Sequence, residues 1–278
     1  MSETLDAMVR AAVRASEIIT QIYASDFQVY MKGPSDPVTD ADRQANTAIC
    51  HYLGEQFPGV PVVAEESDPS DYQGFASSER IFFVDPVDGT SELVNRTDEF
   101  VVMIGLVDGE RATHGVVLSP PRQVIWVGEL GHGAHRIDRN GTRERIDCSK
   151  TTALAEARVV VSRSHRSPSL EGDLRRCGVS QILQLGSAGL KSASVAEGSA
   201  DAYVALAGAG KRWDVCGPDA VVSAAGGYFT DAAGRLFDYR PADLTNSQGI
   251  VAAGPLLHGK FVENLHAPSS EDNSLGKR

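Results

Sequence analysis

Apolar residues near the N-terminus recur every three or four positions, which is the spacing of an amphipathic helix. This pattern predicts two helices, with a breaker-rich loop over residues 32–42 between them. Thr39 and Asp40 are the candidate N-caps of the second helix. The apolar positions of the first helix are Leu5, Met8, Val9, Ala12, Val13 and Ile19. Those of the second helix are Ala45, Ala48, Ile49, Tyr52 and Leu53.

After the second helix the pattern changes to short apolar or β-branched runs, which predict strands. Turn residues such as Asp108 and Gly109 separate these runs and favour antiparallel pairing. The candidate strands are 60–64, 81–84, 101–107, 113–118 and 124–128. Beyond residue 157, strands and helices alternate at 159–161, 170–176, 182–185, 190–197, 202–206 and 218–225. The chain is therefore predicted to combine antiparallel strand pairing with alternating strands and helices, an α/β (α+β) pattern.

A polar, glycine-containing stretch at residues 139–152 divides the two patterns and is the predicted boundary between lobes. We expect one domain over residues 1–266, with an N-terminal lobe to about residue 145 and a C-terminal lobe from about residue 150. The remaining residues, 267–278, are polar with Pro and Gly, and are predicted to form a disordered tail.

The composition is that of a globular chain with a large core, since 42% of its 278 residues are hydrophobic and 23% are charged. The net charge of −11 argues against nucleic acid and anionic membranes as partners, because both attract basic proteins. The N-terminus has the pattern of neither a secretory signal nor a membrane span. Four scattered cysteines favour a reducing compartment, so the cytoplasm is the predicted location.

The clearest chemical signal is an apolar strand, 82–84, that ends in the two carboxylates Asp85 and Asp88. Pro86 fixes its own φ and favours an extended Asp85, so both carboxylates and the Val87 carbonyl can face one point. Oxygen ligands of this kind suit a hard divalent cation such as magnesium. The Gly-Thr pair that follows permits close backbone approach and can open a helix whose N-terminus attracts an anion. The alternative is an acidic turn after a buried strand.

Three further acids precede this segment. Glu65 and Glu66 end another apolar strand, and strand alternation predicts that they point to opposite sides, so that one serves as a ligand. A solvated strand end is the alternative. Asp42, at the start of the second helix, could act as a base that orients a hydroxyl or a water. Its alternative is an ordinary helix acid stabilised by the dipole.

Another acid, Asp214, lies between Trp213 and a helix predicted to begin at Pro218, because Pro is accepted in a first turn. A capping Asp is the alternative at this position.

Two strands in the second half run into polar or Gly-rich turns, at 161–165 and 185–191. Open sheets place ligands at such strand ends. His165 could contact a base or phosphate and Lys191 a phosphate, although a lone surface His or Lys is more often only solvated.

In sequence order, the motifs Pro-Val-Thr-x-Ala-Asp, Glu-Glu-Ser, Asp-Pro-Val-Asp-Gly-Thr and Trp-Asp resemble those of the lithium-sensitive, magnesium-dependent phosphatase superfamily. This superfamily includes the inositol monophosphatases, fructose bisphosphatases and 3'(2'),5'-bisphosphate nucleotidases, and the resemblance covers roughly residues 5–265. The stretch 161–165, the Gly-Ser-Ala-Gly-x-x-Lys run and Trp-Asp-Val-Cys-Gly-Pro-Asp look most like the bisphosphate nucleotidases. The resemblance implies an α/β (α+β) layered sandwich, the inositol monophosphatase or fructose-1,6-bisphosphatase-like fold.

The resemblance also implies a role for each matching residue. Asp42 and Thr90 would position and deprotonate the attacking water. The implied cofactor is Mg²⁺, about two or three ions. Its ligands would be Glu65, Asp85, the Val87 carbonyl, Asp88 and Asp214. The implied substrate-binding residues are Gly89, Thr90, Ser91, His165, Ser187, Lys191 and Asp214.

The reaction implied is hydrolysis of adenosine 3'(2'),5'-bisphosphate to AMP and phosphate by metal-activated water, an activity of sulfur metabolism. The alternatives are an inositol monophosphate phosphatase and an inactive phosphometabolite-binding protein. Lithium sensitivity and either a monomer or a homodimer are further implications of the family.

Two residues depart from the pattern of the nucleotidases. Asp36 stands where these enzymes often have Ser, and Ala205 stands near where several microbial members place an arginine. Arg212 and Lys211 are the candidates for supplying the missing positive charge.

Overall fold

The computed structural model describes residues 1–34, 36–164, 167–206 and 210–265. Both predicted N-terminal helices are confirmed, with α1 spanning Glu3–Tyr23 and α2 spanning Asp40–Gln56. A short antiparallel hairpin of β1 (Val29–Gly33) and β2 (Asp36–Thr39) joins the two helices. The predicted disordered tail, 267–278, lies outside the described residues.

A seven-stranded sheet follows, with the order β3-β4-β5-β6-β7-β8-β9. Its strands are β3 (Val62–Ala64), β4 (Arg80–Asp88), β5 (Val101–Asp108), β6 (Arg111–Ser119), β7 (Val124–Glu129), β8 (Gly133–Ile137) and β9 (Arg143–Ile146). Every pair is antiparallel except β3 and β4, so the predicted antiparallel character is confirmed. The sequence missed β8 and β9, and β9 lies inside the stretch 139–152 that was predicted to be a boundary. Three of its four residues are exposed, so an edge strand of this kind has no apolar signature.

The second sheet has five strands in the order β11-β10-β12-β14-β13. Its strands are β10 (Arg158–Ser162), β11 (Gln181–Leu185), β12 (Ala202–Ala205), β13 (Tyr228–Thr230) and β14 (Ile250–Ala253). The remaining helices are α3 (Thr90–Val94), α4 (Pro168–Arg176), α5 (Ala188–Ala196), α6 (Trp213–Ala224) and α7 (His258–Leu265). Strands β10, β11 and β12 run parallel, as the alternating strand and helix pattern suggests.

The two sheets and the helices form alternating layers, which confirms the predicted layered sandwich. Helices α1 and α2 cover one face of the large sheet with a continuous apolar cluster. Helices α5 and α6 lie in the cluster between the other face and the second sheet. Helices α4 and α7 cover the outer face of the second sheet. Each sheet therefore buries both faces, which explains why the central strands read as unbroken apolar runs.

Helix α6 approaches the large sheet at backbone distance. A Cβ added at Gly105, Gly115 or Gly128 would lie 2.5, 2.2 and 2.6 Å from backbone atoms of this helix. These glycines pair with one another across β5, β6 and β7, so they form one continuous row, called here the glycine row. The prediction that the helix begins at Pro218 was wrong, because it begins at Trp213. Pro218 is thus inside the helix and has no N–H to donate to the carbonyl one turn earlier.

A buried carboxylate, Asp201, ties the connection between the sheets to the start of β12. It accepts hydrogen bonds from the Ser149 and Thr151 hydroxyls at 2.5 and 2.9 Å, and from the Arg158 backbone N–H and Nε at 2.7 and 2.9 Å. Burial alone would raise the pKa of Asp201, but these hydrogen bonds lower it to about 2. The ionised form is therefore the one that stabilises the fold.

We expect Asp201→Asn to lower the free energy of unfolding by about 3 kcal/mol at pH 7, because it leaves Arg158 with an unbalanced charge. The native contribution is present above the ordinary pKa of 3.8 and is lost as the pH falls towards about 2. Urea unfolding at several pH values would measure both effects. Glu110→Gln, on an exposed turn, is the control and should change little. Equal stability of the wild type and Asp201→Asn at pH 7 would contradict the assignment.

Candidate active site

Three carboxylates meet where strand β4 reaches the N-terminal end of α6. One carboxylate oxygen each from Asp85, Asp88 and Asp214 lies within 4.8 Å of the other two. The pairing of β4 with β5 shifts between Asp85 and Asp88, and this irregularity brings both side chains to the same site. The backbone N–H of Val87 donates to Asp85 Oδ1 at 2.9 Å, which fixes the turn between them. The structure therefore brings together these three predicted ligands.

The acidic cluster is electrostatically unbalanced. Burial, followed by the charges of Glu65, Asp214 and Asp88, raises the pKa of Asp85 well above its ordinary value. Burial and the charges of Glu65 and Asp88 raise the pKa of Asp214 to about 7. A hard divalent cation would remove the repulsion that these shifts report. The donor set, all oxygen, fits a cation of this type.

Glu65 and Glu66 do not point to opposite sides, so that prediction was wrong. Strand β3 ends at Ala64, and the two acids lie in a turn closed by the Ser67 N–H and the Ala64 carbonyl at 3.2 Å. Lys32 Nζ in β1 donates to both carboxylates, at 2.9 and 2.6 Å. Strand alternation does not apply beyond the last residue of the strand. In the turn, both side chains can therefore reach the Lys32 amine.

Asp42 connects α2 to the segment after β4. Its Oδ1 accepts from Thr90 Oγ1 at 2.8 Å, and its Oδ2 accepts from the Thr39 N–H and hydroxyl at 2.8 and 2.6 Å. Thr90 Oγ1 also lies 3.1 Å from the Val87 carbonyl. Burial raises the pKa of Asp42, although the hydrogen bonds from Thr39 and Thr90 oppose this shift. The side chain therefore takes part in the cap of its helix and also accepts from the Thr90 hydroxyl, and its role as a base stays a prediction.

A cleft of about 490 Å³ opens beside the acidic cluster, between the two sheets. Gly89, Thr90 and Ser91 line it where β4 ends and α3 begins. Gly89 has a φ of 101°, and a Cβ there would lie 3.0 Å from the Glu99 carbonyl, so the turn requires glycine. Other residues that line the cleft are Asp36, Asp88, Glu92, Ser164, Leu170, Glu171, Ser187, Lys191, Tyr203, Ala205 and Asp214.

The two predicted substrate contacts on α5 belong to this cleft. Ser187 Oγ and the Gly189 N–H donate to Asp88 Oδ2 at 2.5 and 2.7 Å. Lys191 Nζ donates to the Ser187 carbonyl at 2.7 Å and lies 5.2 Å from the centre of the Tyr203 ring. Burial lowers the pKa of Lys191 to about 8, although nearby acids, Asp88 first, oppose the shift. The cleft therefore holds a buried amine close to the carboxylate cluster.

Three further residues were candidates for contacting the substrate or supplying positive charge. His165 lies outside the described residues. Neither Arg212 nor Lys211 lines the cleft among the residues described. Arg212 Nε donates to the Asp238 carbonyl at 2.7 Å, and Lys211 Nζ lies 5.0 Å from the centre of the Trp213 ring.

Sequence reasoning missed three residues of the site. Lys32 precedes a Gly-Pro turn, and its proximity to Glu65 depends on the hairpin folding back over α2. Tyr203 lies in a short apolar strand and resembles a core residue. Glu92 follows the Gly-Thr-Ser motif directly, so its place in the chain was the available signal.

Within the described part of the chain, no helix combines the length and apolar character that crossing a membrane requires.

The chain is similar to known proteins in both sequence and fold. The chain is 34% identical over 244 residues to the 3'(2'),5'-bisphosphate nucleotidase CysQ of Escherichia coli (strain K12), covering 86% of this chain and 95% of that protein. It is 31% identical over 270 residues to inositol monophosphatase 1 of Solanum lycopersicum, covering 95% of each. The structure of the extragenic suppressor protein suhB from Bartonella henselae superposes with a TM-score of 0.82 at 28% identity, covering 95% of this chain and 99% of that one. A family model described as "Inositol monophosphatase family" matches residues 1–270, so the chain belongs to this family of metal-dependent phosphatases.

Proposed function

We propose that the protein hydrolyses the 3'-phosphate of adenosine 3',5'-bisphosphate, giving AMP and phosphate, with Mg²⁺ as its cofactor. The observation that carries this proposal is Lys191, a buried amine in the wall of the cleft beside the acidic cluster. A substrate with two phosphates can place one at the carboxylates and the other near this amine. A cleft of about 490 Å³ is within the range of small-molecule sites.

The acidic cluster is the proposed metal site. Asp85, Asp88 and Asp214 would hold Mg²⁺, and Glu65 and the Val87 carbonyl would complete the ligand set. When bound, the cation supplies Lewis acidity and neutralises charge on the phosphate. Its presence explains how a cluster of carboxylates can receive an anionic substrate in a protein of net charge −11.

The protein's own groups would orient the reaction. Thr90 would position the attacking water. Asp42, which accepts a hydrogen bond from Thr90 Oγ1, would take a proton from that water. Gly89 and Ser91 line the cleft beside Thr90 and would cradle the phosphate. Phosphoryl transfer requires little covalent chemistry from side chains, so positioning is their main contribution.

Lys191 would be the contact for the second phosphate. Because burial lowers its pKa to about 8, the free protein pays a desolvation cost for the charged amine. A phosphate dianion beside it would favour the ammonium form. Ser187 would act through its contacts to both Lys191 and Asp88.

An inositol phosphate is the second candidate substrate, and one observation favours it. Carboxylates of Asp36, Glu92 and Glu171 also line the cleft, and Ala205 supplies no charge. Carboxylates accept hydrogen bonds from hydroxyl groups, which a polyol carries in number. The relatives include enzymes named for both substrates.

The test compares phosphate release from adenosine 3',5'-bisphosphate and inositol 1-phosphate, with magnesium and with a chelator. We expect a magnesium-dependent preference for the nucleotide. We also expect Lys191→Gln to lower kcat/KM for the nucleotide on the order of 10–100-fold, because a hydrogen bond to a charged group is lost. Lys150→Gln, an exposed lysine, is the control and should behave as the wild type. A preference for inositol 1-phosphate that Lys191→Gln leaves unchanged would establish the second candidate instead.

A further inference from the structure

A buried carboxylate outside the acidic cluster, Glu99, faces the turns that carry the cleft's polar residues. It lies just before β5 and does not line the cleft itself. Its Oε2 accepts the Gly186 backbone N–H at 2.7 Å, and its Oε1 lies 2.9 Å from Arg163 Nη2. Gly186 directly follows β11, and Arg163 directly follows β10. One side chain from the segment before β5 therefore contacts both turns that follow these strands of the second sheet.

The two contacts of Glu99 differ in their contribution to stability. The Arg163 side chain is 43% exposed, and ion pairs of that exposure contribute little. The bond to Gly186 is buried, and a buried backbone N–H without a partner is costly. The Gly186 contact therefore dominates.

From Gly186 the contacts continue into the cleft. The next residue, Ser187, has a φ of 57°, a conformation that residues with side chains rarely adopt. Its carbonyl accepts from Lys191 Nζ and its hydroxyl donates to Asp88. Such a conformation persists only where its neighbours hold it. The position of the Lys191 amine thus depends on Ser187, which is held on one side by Asp88 and on the other by the bond of Gly186 to Glu99.

We propose that Glu99 is a positioning residue that sets the distance between the Lys191 amine and the acidic cluster, and thereby the preference for substrates with a second phosphate. It acts through Gly186 and Ser187 and does not contact the substrate. This inference rests on the proposed function, in which Lys191 receives the second phosphate. It assigns selectivity to a residue that lies behind the cleft wall.

The test uses Glu99→Ala, which removes the acceptor, and Glu99→Gln, which keeps an acceptor for the Gly186 N–H. Glu129→Ala is the matched control, because Glu129 also accepts a backbone N–H, lies beside the His114 ring and does not line the cleft. Its side chain is 13% exposed, against 12% for Glu99. Each variant is assayed on adenosine 3',5'-bisphosphate and on adenosine 3'-monophosphate, which lacks the second phosphate.

For Glu99→Ala we expect the ratio of kcat/KM between the two nucleotides to fall about tenfold, mainly through KM for the bisphosphate. Glu99→Gln should keep the ratio within about threefold of the wild type, and Glu129→Ala should leave it unchanged. An unchanged ratio in Glu99→Ala would overturn the inference. An equal loss on both nucleotides would also overturn it, because that result indicates general damage.

Amide hydrogen exchange separates this inference from the proposed function. Exchange over residues 186–191 should be faster in Glu99→Ala than in the wild type, and unchanged in Glu129→Ala. If the wild type does not prefer the bisphosphate, the proposed function fails and with it the selectivity assigned to Glu99, whereas faster exchange would still support its positioning role. Unchanged exchange would overturn that role whatever the substrate.

Discussion

Asp85→Asn should reduce phosphate release on the order of a thousandfold, while the protein stays folded. The substitution keeps the size of the side chain and an oxygen that can accept the Val87 N–H. It removes one charge from the three carboxylates that we propose as metal ligands. A bound cation contributes several kcal/mol of charge stabilisation, and each ~1.4 kcal/mol corresponds to a tenfold change in rate.

The stability of this variant should move in the opposite direction from its activity. Burial and neighbouring acids raise the pKa of Asp85, so the ionised side chain is unfavourable in the metal-free protein at neutral pH. With chelator present, Asp85→Asn should therefore unfold at a urea concentration at least as high as the wild type. Excess magnesium should stabilise the wild type more than the variant.

Asp219→Asn is the control for this experiment. Asp219, on α6, is a buried acid like Asp85, and burial raises its pKa to about 6. It accepts a hydrogen bond from Tyr239 Oη at 2.8 Å and lies outside the acidic cluster. It should retain activity. Full activity of Asp85→Asn, or equal stabilisation of all three proteins by magnesium, would refute a metal site at Asp85.

Asp42→Asn should lower kcat by a factor on the order of 10²–10⁴, the usual contribution of a general base, with a smaller change in KM. Asn retains one acceptor oxygen for Thr90 or Thr39 and cannot take a proton. In the wild type, kcat should fall as the pH is lowered through the pKa of Asp42, which burial raises above its ordinary value. The variant should lose this acidic limb of the pH profile, as measured by phosphate release under saturating substrate.

Thr39→Val separates catalysis from helix capping at this site. Thr39 Oγ1 accepts the Ala41 N–H at 3.2 Å and donates to Asp42, but it does not contact Thr90. Its loss should cost about 1 kcal/mol of stability through the cap and leave kcat near the wild-type value. Should Thr39→Val lower kcat as much as Asp42→Asn, the role of Asp42 would be structural.

The sequence predicted what depends on local pattern. Asp85 and Asp88 come directly after an apolar run. The turn around them could be predicted because Pro86 and Gly89 have their own backbone preferences. The central strands β4 to β7 are buried on both sides, so their apolar runs were clear. The layered fold was predicted from the resemblance that the ordered motifs carry, and the alternation of strands and helices is consistent with it.

The sequence could not supply what depends on tertiary contact. Lys32 meets Glu65 across a hairpin whose position is set by packing and not by local propensity. Strand β9 is exposed and charged, so its pairing with β8 left no hydrophobic trace. Helix α6 begins at Trp213 and contains Pro218, so the usual preference of Pro for a first turn misplaced its start. Glu99 belongs to no recognisable motif, and only its contacts with Gly186 and Arg163 in the folded chain point to a role.

The glycine row under α6 leaves no space for larger side chains at three positions of the large sheet. Because β5, β6 and β7 meet the helix backbone directly, the position of α6, which carries Asp214, is set by main-chain contact and not by compressible side chains. Enlarging any glycine of the row would lift the helix and move one carboxylate of the cluster away from the others. A substitution in the row would therefore disturb the proposed metal site without changing any of its carboxylates.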